Sequence, residues 1–173
     1  MNKEKFMQSD LALYAMLTSV ALVASYIESL IPIPYPVYGM KIGLANIVIV
    51  WVLYSLEWKA AAVISVARVL LVGFLFGNLY SILFSLAGAG LSLAVMILLK
   101  KTKKFSIIGV SIAGGVCHNI GQIIVAMIVL ENVRISFVLP FLIISGVVAG
   151  IAIGILGGLL FKKIKILQTN VHL

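Results

Sequence analysis

Apolar runs of roughly 20 residues recur along this chain, and each ends at a charge or a turn residue. About 20 residues of helix cross the hydrocarbon core of a bilayer. Within that core no water satisfies a backbone amide, so a spanning segment must satisfy its own hydrogen bonds as a helix or a closed barrel. The runs are continuous rather than alternating, which selects helix. The sequence therefore predicts an all-α integral membrane protein, a bundle of six transmembrane helices at about 10–30, 42–56, 59–76, 80–99, 105–130 and 137–161. With 63% hydrophobic and 10% charged residues, too little polar surface remains for a water-soluble domain. One membrane domain over 1–173 is expected. The first run is not read as a cleaved leader: it is long, carries Glu28 near its end and lacks a small-residue cleavage site.

The net charge of +8 suggests nucleic acid only until the positions are read. Lys100, Lys101, Lys103 and Lys104 follow one apolar run, and Lys162, Lys163 and Lys165 follow another. Clusters in such places hold a loop in the cytoplasm and touch anionic lipid. With Lys3 and Lys5 inside, Glu57, Lys59 and both clusters fall inside as well. Lys41, Glu131 and Arg134 remain outside. Both termini are expected in the cytoplasm, in the plasma membrane of a bacterial cell. The single cysteine, Cys117, lies within an apolar run and makes neither an intramolecular disulfide nor a cysteine-rich metal site.

Prolines 32, 34 and 36 in "IPIPYPVYGMKIG" forbid regular helix between the first two spans. The segment reads as a stiff connector or as a partial lid, with Tyr35 and Tyr38 suited to the membrane interface. Small residues mark where helices touch: Gly146, Gly150, Gly154 and Gly158 in the last span, and Gly109, Ala113, Cys117 and Gly121 in the fifth. Ala12, Ala15 and Ser19 give the first span a small face that suits internal packing or a partner, with Ala21 and Ser25 further out.

Polar side chains inside a membrane are costly, so their depth carries information. Arg68 falls near the middle of the third span, and His118 near the middle of the fifth, with Asn119 beside it and Gln122 one turn further out. Asn46, Glu28, Lys41 and Asn78 lie toward the outer ends of their segments. All eight fall between mid-membrane and the outer surface, which predicts an outward-facing polar cavity floored by Arg68 and His118. Arg68 offers a planar fork of donors for carboxylate or phosphate. The opposing reading pairs Arg68 with Glu28 and makes His118, Asn46, Asn119 and Gln122 interhelical hydrogen-bonders. Asn78 reads equally as a turn residue. Tyr35, Tyr38, Phe74, Phe76 and Tyr80 could stack on a ligand or form an interfacial belt.

The strings "KIGLANIVIVWVLY", "ARVLLVGFLFGNLYSILFSLAGAGLSLAVMILLKK" and "FSIIGVSIAGGVCHNIGQIIVA" resemble the Gx transporter family, labelled heptaprenyl diphosphate synthase component I. That family is similar to the substrate-binding S components of energy-coupling factor transporters. The resemblance implies a six-helix bundle with both termini inside and a substrate pocket near the outer face. It also implies docking, through small residues of the first helix, onto a transmembrane coupling protein driven by two ATPases. Ala12, Ala15 and Ser19 are the nearest match, although the paired-alanine spacing of that helix is absent.

Catalysis is not expected. A prenyl diphosphate synthase holds magnesium on aspartate-rich motifs, whereas this chain has one aspartate, Asp10. It has no GxxxxGK[ST] loop, and its two histidines, one of them His172 in the tail, make no metal cluster. No cofactor or metal is implied. The expectation is a membrane subunit that binds a small, anionic or acceptor-rich molecule for an importer. The alternative is a non-catalytic accessory protein of prenyl diphosphate or quinone synthesis, or of a redox assembly.

Overall fold

In the computed structural model the backbone is described over residues 3–30 and 43–171, and the side chains over 11–30 and 43–163. Within these residues the apolar runs are helices: α1 (Lys3–Leu30), α2 (Asn46–Ser55), α3 (Trp58–Phe76), α4 (Leu79–Thr102), α5 (Ile107–Val129) and α6 (Leu139–Val171). A 3₁₀ turn over Val133–Val138 leads into α6. No strand occurs among the described residues.

Local chemistry sets the helix ends. Asn78 caps α4 by accepting the Ser81 amide at 2.8 Å, and Ser106 caps α5 by accepting the Gly109 amide at 3.2 Å. Lys103, at a left-handed φ of 56°, closes α4. Among the described residues, five helical segments are long and apolar enough to cross a membrane: Leu11–Leu30, Trp58–Phe76, Leu79–Thr102, Ile107–Val129 and Val133–Lys163. Their outward residues are large and apolar, with Phe74, Phe137 and Ile128 among the most exposed. Such a surface suits lipid and not water.

The second segment departs from expectation. In place of a span over 42–56, the helix covers ten residues, Asn46–Ser55, preceded by a turn at Gly43–Ala45. At 1.5 Å per residue it reaches about 15 Å, half of a hydrocarbon core. It lies inside the bundle instead of on its rim: Ile49, Val50, Val52 and Leu53 are buried against α1, α3 and α6.

Tight seams join α5 to α6 and to α4. A Cβ built on Gly115 would stand 2.5 Å from the Gly146 carbonyl oxygen. One on Gly150 would stand 2.5 Å from Ile112 Cα, and one on Gly154 2.7 Å from Ile108 Cα. As the α6 number rises the α5 number falls, so the two helices are antiparallel. On the other side of α5, Gly121 would meet the Ala87 carbonyl oxygen at 2.7 Å. The predicted α6 stripe thus holds at Gly146, Gly150 and Gly154, but a Cβ on Gly158 meets nothing within 4 Å. The predicted α5 stripe is divided. Gly121 serves α4, Gly109 lies near only its own cap, and Gly115, outside the stripe, faces α6. A helix gripped on two sides needs two small faces, which a single four-residue periodicity does not describe.

Candidate functional site

Glu28 lies at the end of α1 and is 4% exposed. Its carboxylate accepts the backbone amides of Gly43 at 2.7 Å and Leu44 at 3.0 Å. Gly43 has φ +89°, a conformation open to glycine, and it places two successive N–H groups toward one oxyanion. Asn46 is buried in the same corner, its Nδ2 folded over Gly43. Glu28 and Asn46 therefore build the entry to α2.

The expected alternative, a direct Arg68–Glu28 ion pair, is not formed. The carboxylate is spent on the α2 turn, and Arg68 Nη1 donates to Ser25 Oγ of α1 at 3.2 Å. Glu28 still lies within electrostatic reach of the guanidinium. The remaining donors of Arg68, Nε and Nη2, are buried with no partner among the described residues. They form one side-on edge of the guanidinium plane, the edge that takes two oxygens of a carboxylate in parallel.

On α5, His118 and Gln122 follow one another by one turn and both lie against Gly88 of α4. A Cβ at Gly88 would stand 2.9 Å from Gln122 Cγ and 3.0 Å from His118 Cε1. Gly88 is thus what lets the two side chains lie between α4 and α5. His118 Nδ1 and both polar atoms of Gln122 are buried without partners among the described residues. Arg68 is within electrostatic reach of His118, which brings α3 into the same group. Arg68, His118 and Gln122 are 5%, 3% and 1% exposed, so bulk water does not serve them. Five polar atoms on these three side chains thus lack partners among the described residues, in a setting where each ordinarily costs about 1–3 kcal/mol.

The other expected site residues are employed differently. Asn119 Nδ2 donates to the Leu142 carbonyl at 2.7 Å and reaches Ser145 Oγ at 3.4 Å, fastening α5 to α6. Asn78 is the exposed cap of α4. Lys41, with Tyr35 and Tyr38, lies outside the described residues. Phe74, Phe76 and Tyr80 are exposed, with the Phe76 ring tilted 42° against Tyr26 at 4.9 Å between centres, as a lipid-facing belt would be. Ala12, Ala15 and Ser19 are exposed; Ala15 and Ser19, with Tyr14, Thr18, Val63 and Ala67, line a groove of about 390 Å³ between α1 and α3.

Two contributions escape the sequence. Gly88 carries no spacing signal, and its part appears only once α4 and α5 are packed. Trp51 Nε1 and Tyr54 OH of α2 are likewise buried without partners among the described residues. Nearby, Lys100 Nζ donates to the Leu53 carbonyl at the end of α2 and lies 5.0 Å from the Tyr54 ring centre. Aromatic residues in an apolar run read as core, which hides their polar atoms.

Apolar helices of spanning length around an enclosed polar cluster fit the class of multi-pass helical membrane proteins. Within that class, the family model described as heptaprenyl diphosphate synthase component I matches residues 17–160, and the chain belongs to this family. Comparison with curated proteins and with solved structures returned no match.

Proposed function

We propose that this protein is a non-catalytic, substrate-binding membrane subunit of an importer of the energy-coupling factor type. The observation that carries the reading is the set of buried polar atoms on Arg68, His118 and Gln122 that have no partner among the described residues. Interhelical glue satisfies its members, as Asn119 does; a ligand site leaves them waiting. The exposed face of Ala12, Ala15 and Ser19 would receive a transmembrane coupling protein driven by two ATPases. Both termini would lie in the cytoplasm of a bacterial cell, with the site opening outward.

Native mass spectrometry of the purified protein beside Arg68→Ala and His118→Ala tests this. A discrete small mass on the wild type, absent from both folded variants, is the expected result. No adduct beyond lipid, or one that both variants keep, would remove the substrate-binding role. The second reading, a membrane accessory of prenyl diphosphate synthesis, is favoured by the family description. It predicts a soluble synthase copurifying with the wild type and equally with Arg68→Ala.

A further inference from the structure

Resting on that reading, we infer that the substrate is a small monocarboxylate that also carries a paired donor–acceptor edge, such as a cyclic amide, imide or ureido group. The buried cluster leaves free a specific set of hydrogen-bonding atoms, and the ligand must supply their complements.

Arg68 contributes the first half. Nη1 is tied to Ser25, while Nε and Nη2, side by side, have no partner among the described residues. Two coplanar parallel donors match the two oxygens of a carboxylate. Charge sets a limit. Arg68 is the one buried permanent cation among the described residues, and the Glu28 carboxylate already lies within its reach. Each further negative charge is therefore surplus in a dry site, so a ligand with a single anionic group is the least costly. A diphosphate would bring more negative charge than this group can neutralise, and the surplus would be desolvated beside Glu28.

Gln122 contributes the second half. Oε1 and Nε2 both lack a partner among the described residues, so the result does not depend on which way the carboxamide is turned. A group with only acceptors or only donors would satisfy one end and leave the other orphaned. A donor and an acceptor side by side satisfy both in one planar pair, which is the geometry of a cis-amide edge. Nδ1 of His118, one turn away on the same helix face, is left for a further polar atom of the ligand.

The experiment uses the full chain in lipid nanodiscs. It is incubated with the small-molecule fraction of an extract of the expressing cells, washed, denatured, and the released compounds identified by mass spectrometry. A parallel aliquot of extract has its carboxylic acids methylated first. The expected result is a compound bearing one carboxyl and an amide, imide or ureido group. Its retention should fall at least about tenfold when the extract is methylated and in Gln122→Leu.

A stability readout separates binding from packing. Gln122→Leu removes two orphaned polar atoms from an apolar site, so the ligand-free variant should unfold at a higher temperature than the wild type. Should Gln122→Leu fail to form a monodisperse species, Gln122→Met makes the same measurement. A retained compound without a carboxyl, or one without the donor–acceptor edge, would overturn this inference and leave the substrate-binding role standing. Retention unchanged by methylation would do the same, and so would a destabilised ligand-free Gln122→Leu. No compound enriched on folded wild type over Arg68→Ala would overturn both.

Discussion

Gly150 and Gly158 occupy equivalent places in one sequence stripe, yet the structure predicts opposite outcomes on adding a methyl group. A Cβ on Gly150 would stand 2.5 Å from Ile112 Cα, 2.9 Å from the Ser111 carbonyl oxygen and 3.0 Å from Ile112 N. Ordinary carbon–carbon contact is about 3.5–4.0 Å, so the shortfall is about 1 Å or more. All three obstacles are backbone atoms, and no rotamer change relieves them. The α5 and α6 backbones must separate, which also loosens the approach of Gly115 to Gly146. Overpacking of this kind costs about 1–3 kcal/mol, and a rigid backbone obstacle places it near the upper end. Alanine recovers about 1 kcal/mol through helix propensity, leaving Gly150→Ala about 2 kcal/mol less stable. At Gly158 nothing lies within 4 Å of the added carbon. That variant keeps the propensity gain alone. The two should differ by about 3 kcal/mol, or some 6–12 °C at about 2–4 °C per kcal/mol for a chain of this size. Thermal unfolding of both variants in the same nanodisc, followed by circular dichroism, makes the comparison. Equal midpoints would refute the assignment of the seam. A Gly158→Ala variant less stable than Gly150→Ala would place α6 in the wrong rotation.

Asn119→Ala should lower stability by about 1 kcal/mol through loss of the bond to the Leu142 carbonyl. Ligand retention in the extract assay should persist, which separates Asn119 from Arg68. Glu28→Ala should expose the Gly43 and Leu44 amides to hydrogen exchange about tenfold faster or more, given that hydrogen bonds to a charged acceptor are worth about 1.5–3 kcal/mol. Unchanged exchange in the peptide spanning them would remove the carboxylate from the α2 turn. Lys100→Met should destabilise the protein by about 1 kcal/mol, because the Leu53 carbonyl loses its donor. Lys101→Met, at an exposed position, should leave the midpoint where it is.

Much of the architecture is legible in one dimension because the bilayer imposes a length and a polarity on every spanning segment. The α3, α4 and α5 boundaries lie within about three residues of the runs that predict them, and Asn78 and Ser106 stand where cap chemistry requires. The α2 segment does not yield to the same reasoning. Its composition is that of a span, but a buried carboxylate on another helix holds its first turn, and the helix starts only at Asn46. Hydropathy measures preference for a dry environment and does not separate lipid from protein interior.

Depth along the helices, and so the candidate status of Arg68, His118 and Gln122, follows from sequence spacing because a helix rises by a constant amount per residue. Their division into satisfied and unsatisfied groups does not. Asn119 and Gln122 are three residues apart on α5, and sequence treats them alike. The α6 backbone takes one with the Leu142 carbonyl, while Gly88 makes room for the other and offers its side chain no hydrogen bond. Sequence determined which side chains enter the membrane and at what depth, because those depend on covalent order and helical rise. Tertiary structure decided which of them find partners, because hydrogen bonding is short-ranged and depends on which backbone from another helix lies within about 3 Å.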